Sequence, residues 1–199
     1  MSGSGFKDFA AGDVLTAGQV DGYLMKQAVM YFADATARDA AITSPEEGMH
    51  AYLADSDSLV FYDGTRWVLR GKPEAATVTT FEETTSTSFT DLTTAGPAVT
   101  VVVGASGKVR IDIVALMRNT TAGRDALMGV AVSGATTRAA QTTEAARFRS
   151  DSVGQHATAA FNFVLTGLTP GSNTFTVKYR ADTAGTAGFE NRQLIVTPL

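Results

Sequence analysis

Few side chains in this chain have both the type and the spacing that chemistry requires. The run Val101 to Arg110, VVVGASGKVR, places glycines and a lysine after a β-like stretch, as a phosphate-cradling loop would. The interval from Gly104 to Gly107-Lys108 is too short for that loop, and Val109 stands where a magnesium-binding hydroxyl is needed. Another β-like stretch follows instead of a helix, so the segment reads as a hairpin turn. Asp55-Ser56-Asp57 offers alternating oxygens that suit calcium, but no later glycine or distal glutamate completes the set, and an Asx-type turn explains it. Asp151, Ser152 and His156 are sequence neighbours, which does not supply the converging geometry of a nucleophilic triad, and His50 falls in a different region. Glu46-Glu47 and Glu82-Glu83 read as solvated carboxylates. No acid–base, nucleophilic or metal constellation emerges, so no catalytic residue, cofactor or metal ligand is expected, and the chain is not read as an enzyme.

Composition narrows the partners. The chain has 199 residues and no cysteine, so packing and assembly must replace disulfides and Cys-held zinc. Its net charge of -4 sits entirely in residues up to Lys72, which hold six Lys and Arg against ten Asp and Glu. A weakly acidic chain without a basic run lacks the electrostatic footprint of a nucleic-acid binder. No apolar run approaches membrane-spanning length and no signal-type leader opens the sequence, so neither membrane insertion nor secretion by the usual route is expected. Asn119-Thr120-Thr121 fits a glycosylation sequon that such a chain would not use.

The texture divides the chain into a flexible arm at 1–13, an anchoring and oligomerisation region at 14–70, a linker at 71–77 and a β-domain at 78–199. In the arm, Phe6 and Phe9 are the candidate anchors. Thr16 and Gln19 form a capping box, with Leu15 and Val20 placed as a hydrophobic staple. The helix expected to follow, through Phe32, carries two apolar stripes: Val20, Leu24, Ala28 and Tyr31, and Met25, Val29 and Phe32. A small monomer covers one stripe, so the second predicts a subunit contact. A further helix over Ala35 to Ile42 ends because Pro45 disfavours helix at Ser44, and its Arg38 and Asp39 could pair across such a contact. Met49 to Leu53, Leu59 to Tyr62 and Thr65 to Leu69 predict a three-stranded meander, with Asp63-Gly64 as a hairpin turn and Trp67 as the large side chain at its packing face.

Beyond the linker, nine strands are expected: Val78 to Phe81, Ser86 to Leu92, Ala98 to Val103, Val109 to Arg118, Ala126 to Ser133, Ala145 to Arg149, Ala157 to Leu165, Thr174 to Ala181 and Asn191 to Thr197. Alternation puts Phe161, Phe163 and Leu165 on one core face, and Phe175, Val177 and Tyr179 on another. The fold class is therefore mainly β: a small N-terminal helix plus β-meander anchor, followed by an antiparallel, jelly-roll-like β-sandwich.

The N-terminal pattern resembles a segment that recurs in structural proteins of tailed bacteriophages, in which an ARDAAI helix leads through Pro-x-x-Gly to a meander ending in YDGT-x-W. The matching residues are Ala37 to Ile42, Pro45, Gly48, Asp63, Gly64, Thr65 and Trp67, and the likeness extends back through Val14 to Phe32. SGATTRAA at Ser133 to Ala140, VLTGLTPGSNTFTVKYR at Val164 to Arg180 and the terminal IVTPL are similar to the β-domain of phage minor tail proteins. The resemblance implies a virion structural protein, assembled in the host cytoplasm: a homotrimer bound to other virion proteins of the tail or capsid. A minor tail protein is the leading reading. A capsid-bound head fibre, or a module recognising a host-cell glycan or protein, is the alternative. The residues expected to carry oligomerisation and docking are Val20, Leu24, Met25, Ala28, Val29, Tyr31, Phe32, Arg38 and Trp67. Sugar platforms usually use exposed Trp or Tyr, and after residue 78 the sequence offers only Tyr179, which the alternation points inward.

Overall fold

The computed structural model describes residues 10–199 except Asp57, Arg70 and Ala184. The anchors Phe6 and Phe9 of the expected arm, and the third residue of the Asp55-Ser56-Asp57 turn, lie outside the described residues. The protein is mainly β, and its contacts divide it into a unit up to Lys72 and a unit from Pro73 to Leu199.

The first unit opens with the expected capping box: the Gln19 amide donates to the Thr16 hydroxyl at 3.3 Å, and the Thr16 amide to the Gln19 side chain at 3.0 Å. Only α1 (Ala17–Gln19) is α-helical; a π turn at Val20–Leu24 and a 3-10 turn at Met25–Gln27 follow, and no residue in the three is buried. The expected continuation of the helix to Phe32 is not found. Val29–Phe32 forms strand β1, parallel to β2 (His50–Leu53), because β-branched and aromatic side chains with a period of two gain more from pairing with that strand than from helix. After β1, Asp34 caps α2 (Ala35–Ala41) by accepting from the Ala37 amide at 2.7 Å. Strands β3 (Ser58–Tyr62) and β4 (Trp67–Leu69) complete the expected meander, and the sheet order is β1-β2-β3-β4. Asp63 organises the last turn by accepting from the amides of Thr65 and Arg66.

The second unit is a sandwich of two sheets. One has the order β10-β9-β12-β7 and the other β11-β8-β13-β5, with β6 also on β13. The strands are β5 (Glu74–Val78), β6 (Glu82–Thr84), β7 (Ala98–Val103), β8 (Val109–Asn119), β9 (Arg124–Gly134), β10 (Ala145–Ser150), β11 (His156–Leu165), β12 (Gly171–Ala181) and β13 (Ala187–Pro198). From β7 onward the alternation read from the sequence holds; Phe175, Val177 and Tyr179 are fully buried, while Phe161 and Phe163 pack half-buried against the core.

Two expected strands are corrected. Glu74–Val78, within the stretch expected as a linker, pairs with Arg192 to Val196, and Thr79 to Phe81 are not strand. Ser86 to Leu92 forms no strand beyond a single bridge from Thr90 to Tyr179, because the Ser86 hydroxyl bonds the Ser88 carbonyl and amide and closes a local turn instead. Since Ala75 and Ala76 pair with Ile195 and Leu194, a fragment starting at Pro73 keeps β5 whole. It is expected to unfold cooperatively with a β-type circular dichroism spectrum; a disordered spectrum would refute its independence.

Gly104 to Lys108 is not a hairpin, for β7 and β8 belong to different sheets and the turn carries the chain across the sandwich. Gly107 holds φ +61°, and a Cβ there would meet the Leu168 carbonyl oxygen at 2.8 Å. Its own carbonyl accepts from the Leu168 amide at 3.0 Å, so the clash cannot be relieved without losing that bond. Gly107→Ala is expected to destabilise the sandwich by roughly 2–3 kcal/mol, measured by urea unfolding, from left-handed strain plus displacement of Leu168.

Candidate functional site

In Gly104 to Lys108 the Gly107 amide donates to the Gly104 carbonyl, the Lys108 amide to the Ser106 hydroxyl, and that hydroxyl to the Leu199 carbonyl at 2.6 Å. Around Asp55 the hydroxyl groups are taken locally, Ser56 by the Asp55 carboxylate and Ser58 by the Ser56 carbonyl. His156 Nδ1 lies 3.3 Å from the Gly154 carbonyl and the Asp151 amide donates to the Gln155 side chain, and neither contact joins His156 to Ser152 or to the Asp151 carboxylate as a triad requires. His50 lies in the other unit, its Nδ1 2.8 Å from the Gly48 carbonyl. Among the described residues, no group of three or more His, Asp and Glu side chains converges on a metal position, and no helix is long and apolar enough to cross a membrane. Asn119 of the sequon is fully buried, its amide nitrogen donating to the Asp125 carbonyl at 2.9 Å.

The paired glutamates are not simply solvated. Successive strand residues face opposite ways, so on β6 Glu82 turns inward and Glu83 outward. Glu83 binds Arg118 at 2.8 Å on the surface. Glu82 binds Arg192, also at 2.8 Å; that guanidinium is 0% exposed and stands 5.3 Å from the Tyr179 ring centre. Arg192 reaches the interior because a bulge between Glu190 and Gln193, with Asn191 at φ 51°, restores the inward phase of β13. Burial pushes the Glu82 carboxyl up, but the Thr94 amide and Arg192 outweigh it and hold the carboxyl below its ordinary value. Burial likewise drives the Tyr179 phenol well up, and its hydroxyl donates to the Gly96 carbonyl at 2.6 Å. Glu46, also expected in solvent, binds Lys26 at 2.7 Å.

The expected docking residues divide into two groups. Phe32 and Trp67 pack on the covered face of the first sheet, with Ala51, Leu53 and Val60. Arg38 is buried there too: its guanidinium stacks 4.7 Å from the Trp67 ring and bonds Asp39 of the same chain at 2.7 Å. Val20 is half-buried, while Leu24, Met25, Ala28, Val29 and Tyr31 are exposed.

Strand register shows what the exposed members belong to. Val29 pairs with His50 and Tyr31 with Tyr52; His50 pairs in turn with Phe61, and Tyr52 with Leu59. These six share the sheet face opposite the α2-covered one. Val29 is 58% and Tyr31 72% exposed, and Tyr31 stacks on Tyr52 at 6.0 Å. Sequence reasoning missed His50, Tyr52, Leu59 and Phe61, although the alternation HAYL and SLVFY, apolar at both phases, carried the signal.

Against protein-family profiles the sequence matches none, and no curated protein sequence matches it. Solved structures give distant likenesses. The Eiger TNF of S. frugiperda aligns at TM-score 0.44 and 11% identity, over 65% of this chain and 93% of that one. The VP2 subviral particle of infectious bursal disease virus aligns at 0.38 and 13%, over 72% of this chain but only 36% of that one. The CBM22-1 xylan-binding domain of Paenibacillus barcinonensis Xyn10C aligns at 0.35 and 12%, over 65% and 85%. At these scores the likenesses carry nothing about function.

Proposed function

We propose that the chain is a bacteriophage virion structural protein, a minor tail protein. It docks and trimerises through its region up to Lys72 and displays the β-sandwich outward for assembly or host attachment. The observation that carries this reading is the first sheet: α2 packs on one face through Ala35 and Arg38, and on the other Val29, Tyr31 and Leu59 stay exposed. A four-stranded sheet of such short strands draws its stability from packing, and the row of Val29, Tyr31, His50, Tyr52, Leu59 and Phe61 is a surface for a second chain. The unburied Ala17 to Gln27 turns, with Leu24 and Met25 exposed, extend the apolar surface of the same unit. The phage assignment itself rests on the Ala37 to Ile42, Pro45 and Asp63 to Trp67 pattern. Electron microscopy of phage particles decorated with an antibody against the sandwich is the test. Label at the tail supports the reading, label on the capsid makes the protein a head fibre, and unlabelled particles refute a virion role.

A further inference from the structure

On the sandwich, a hollow of about 230 Å³ opens between Phe81, Leu116, Arg118, His156, Gly188 and Glu190. It is built rather than incidental. Gly188, the second residue of β13, is paired with Arg118 on one side and Glu83 on the other, and a Cβ there would meet Phe81 at 2.8 Å and Arg118 Nε at 2.9 Å. A glycine paired on both sides within a sheet marks a close approach. Here it lets the Arg118 guanidinium lie on Phe81, 4.1 Å from the ring centre, while Glu83 fixes one of its amino groups at 2.8 Å. His156 pairs with Arg118 across β11 and β8; with its Nδ1 turned to the Gly154 carbonyl, Nε2 is left for a ligand. Glu190 contributes a carboxylate from the bulge end of β13.

We propose that this hollow binds one ring of a neutral saccharide. Three features select that chemistry. Glu83 neutralises Arg118, so the guanidinium offers no unpaired positive charge to a strong anion, and Glu190 leaves a single acceptor carboxylate on the lining. Phe81, 39% exposed, and Leu116 supply an apolar wall for a ring face, while Glu190, His156 and the fixed guanidinium edge supply acceptors and donors for hydroxyl groups. The volume lies below the roughly 300 Å³ at which pockets begin to enclose drug-sized ligands, so a single ring fits and the remainder of a glycan leaves through the open side. The proposal rests on the outward display of the sandwich for its biological meaning. All the lining residues belong to the second unit, so binding and assembly fail separately.

The test is saturation-transfer NMR on the full chain with D-glucose, D-galactose, D-mannose and N-acetyl-D-glucosamine, each at millimolar concentration. At least one sugar is expected to receive saturation at its ring protons. His156→Ala and Glu190→Ala should each weaken that binding about tenfold, the worth of one hydrogen bond to a charged or buried group, with melting temperature and oligomeric mass unchanged. His156 is exposed, so its loss leaves the fold intact. Silence from all four sugars, transfer that survives both substitutions, or displacement by excess sodium acetate, which would make this an anion site, each overturns the proposal. A monomeric mass with sugar binding retained would instead refute the assembly reading alone.

Discussion

Glu82→Ala is expected to lower the melting temperature of the sandwich by about 10 °C. The substitution leaves the Arg192 guanidinium, which no solvent reaches, without its carboxylate partner. Breaking a buried ion pair from one side costs about 3–5 kcal/mol, because the surviving charge is stranded at low dielectric. For a unit of this size, each kcal/mol moves the transition by about 3 °C. The cost belongs to the stranded charge rather than to the pair, so Glu82→Leu combined with Arg192→Met should recover most of the loss. Glu83→Ala removes the neighbouring but exposed pair with Arg118 and should cost less than about 1 kcal/mol. Calorimetry on the three variants decides the matter: equal shifts for Glu82→Ala and Glu83→Ala would mean that burial of Arg192 is not what sets the cost.

The same pair gives the sandwich an acid-sensitive component. Glu82 is held below its ordinary value of 4.5 in the folded chain, so its contribution is fully present above that value. It is lost as pH falls through the lower, folded value, where protonation leaves Arg192 unpaired. Glu82→Gln abolishes this titration, and its stability should vary less with pH on the acid side than that of the wild type. Parallel acid limbs for the two proteins would assign the acid sensitivity to other carboxylates.

Strands such as β7 and β12 were legible because each has one buried face, so Val99, Val101 and Val103, or Phe175, Val177 and Tyr179, write the period of two directly into the sequence. Thr16 and Gln19 were legible for a different reason, since a capping box is a local bond that needs no tertiary context. Val29 to Phe32 was not. VMYF follows a real helical start and its apolar residues suit either period; pairing with His50 to Leu53, about twenty residues away, decides for strand. Glu82, Arg192 and the hollow at Gly188 were hidden because each depends on β13 lying between β8 and the β5–β6 segment. A bulge at Asn191 and a glycine at 188 announce neither which strand they face nor which side chain they admit.

Val29→Asp combined with Tyr31→Asp is expected to convert the proposed homotrimer to monomers. In an isolated chain these side chains face water, at 58% and 72% exposure, so the substitutions leave the fold of the unit intact. In the assembly they lie beside Tyr52 and Leu59 of an apolar face, and closing that face over two unpaired carboxylates costs several kcal/mol per site. Each 1.4 kcal/mol is tenfold in affinity, so two such sites outweigh a contact that holds at micromolar concentration. Closed cyclic symmetry buries the face without propagating filaments. The number three comes from the resemblance of Ala37 to Trp67 to phage tail and fibre proteins, because an apolar sheet face accepts a twofold partner equally well. Light scattering should return three times the 20.8 kDa chain mass for the wild type and one times for the double variant, with matching circular dichroism spectra. A dimeric wild type would correct the symmetry and keep the face. A wild type already monomeric at micromolar concentration would mean that the Val29 and Tyr31 face meets a different protein or none.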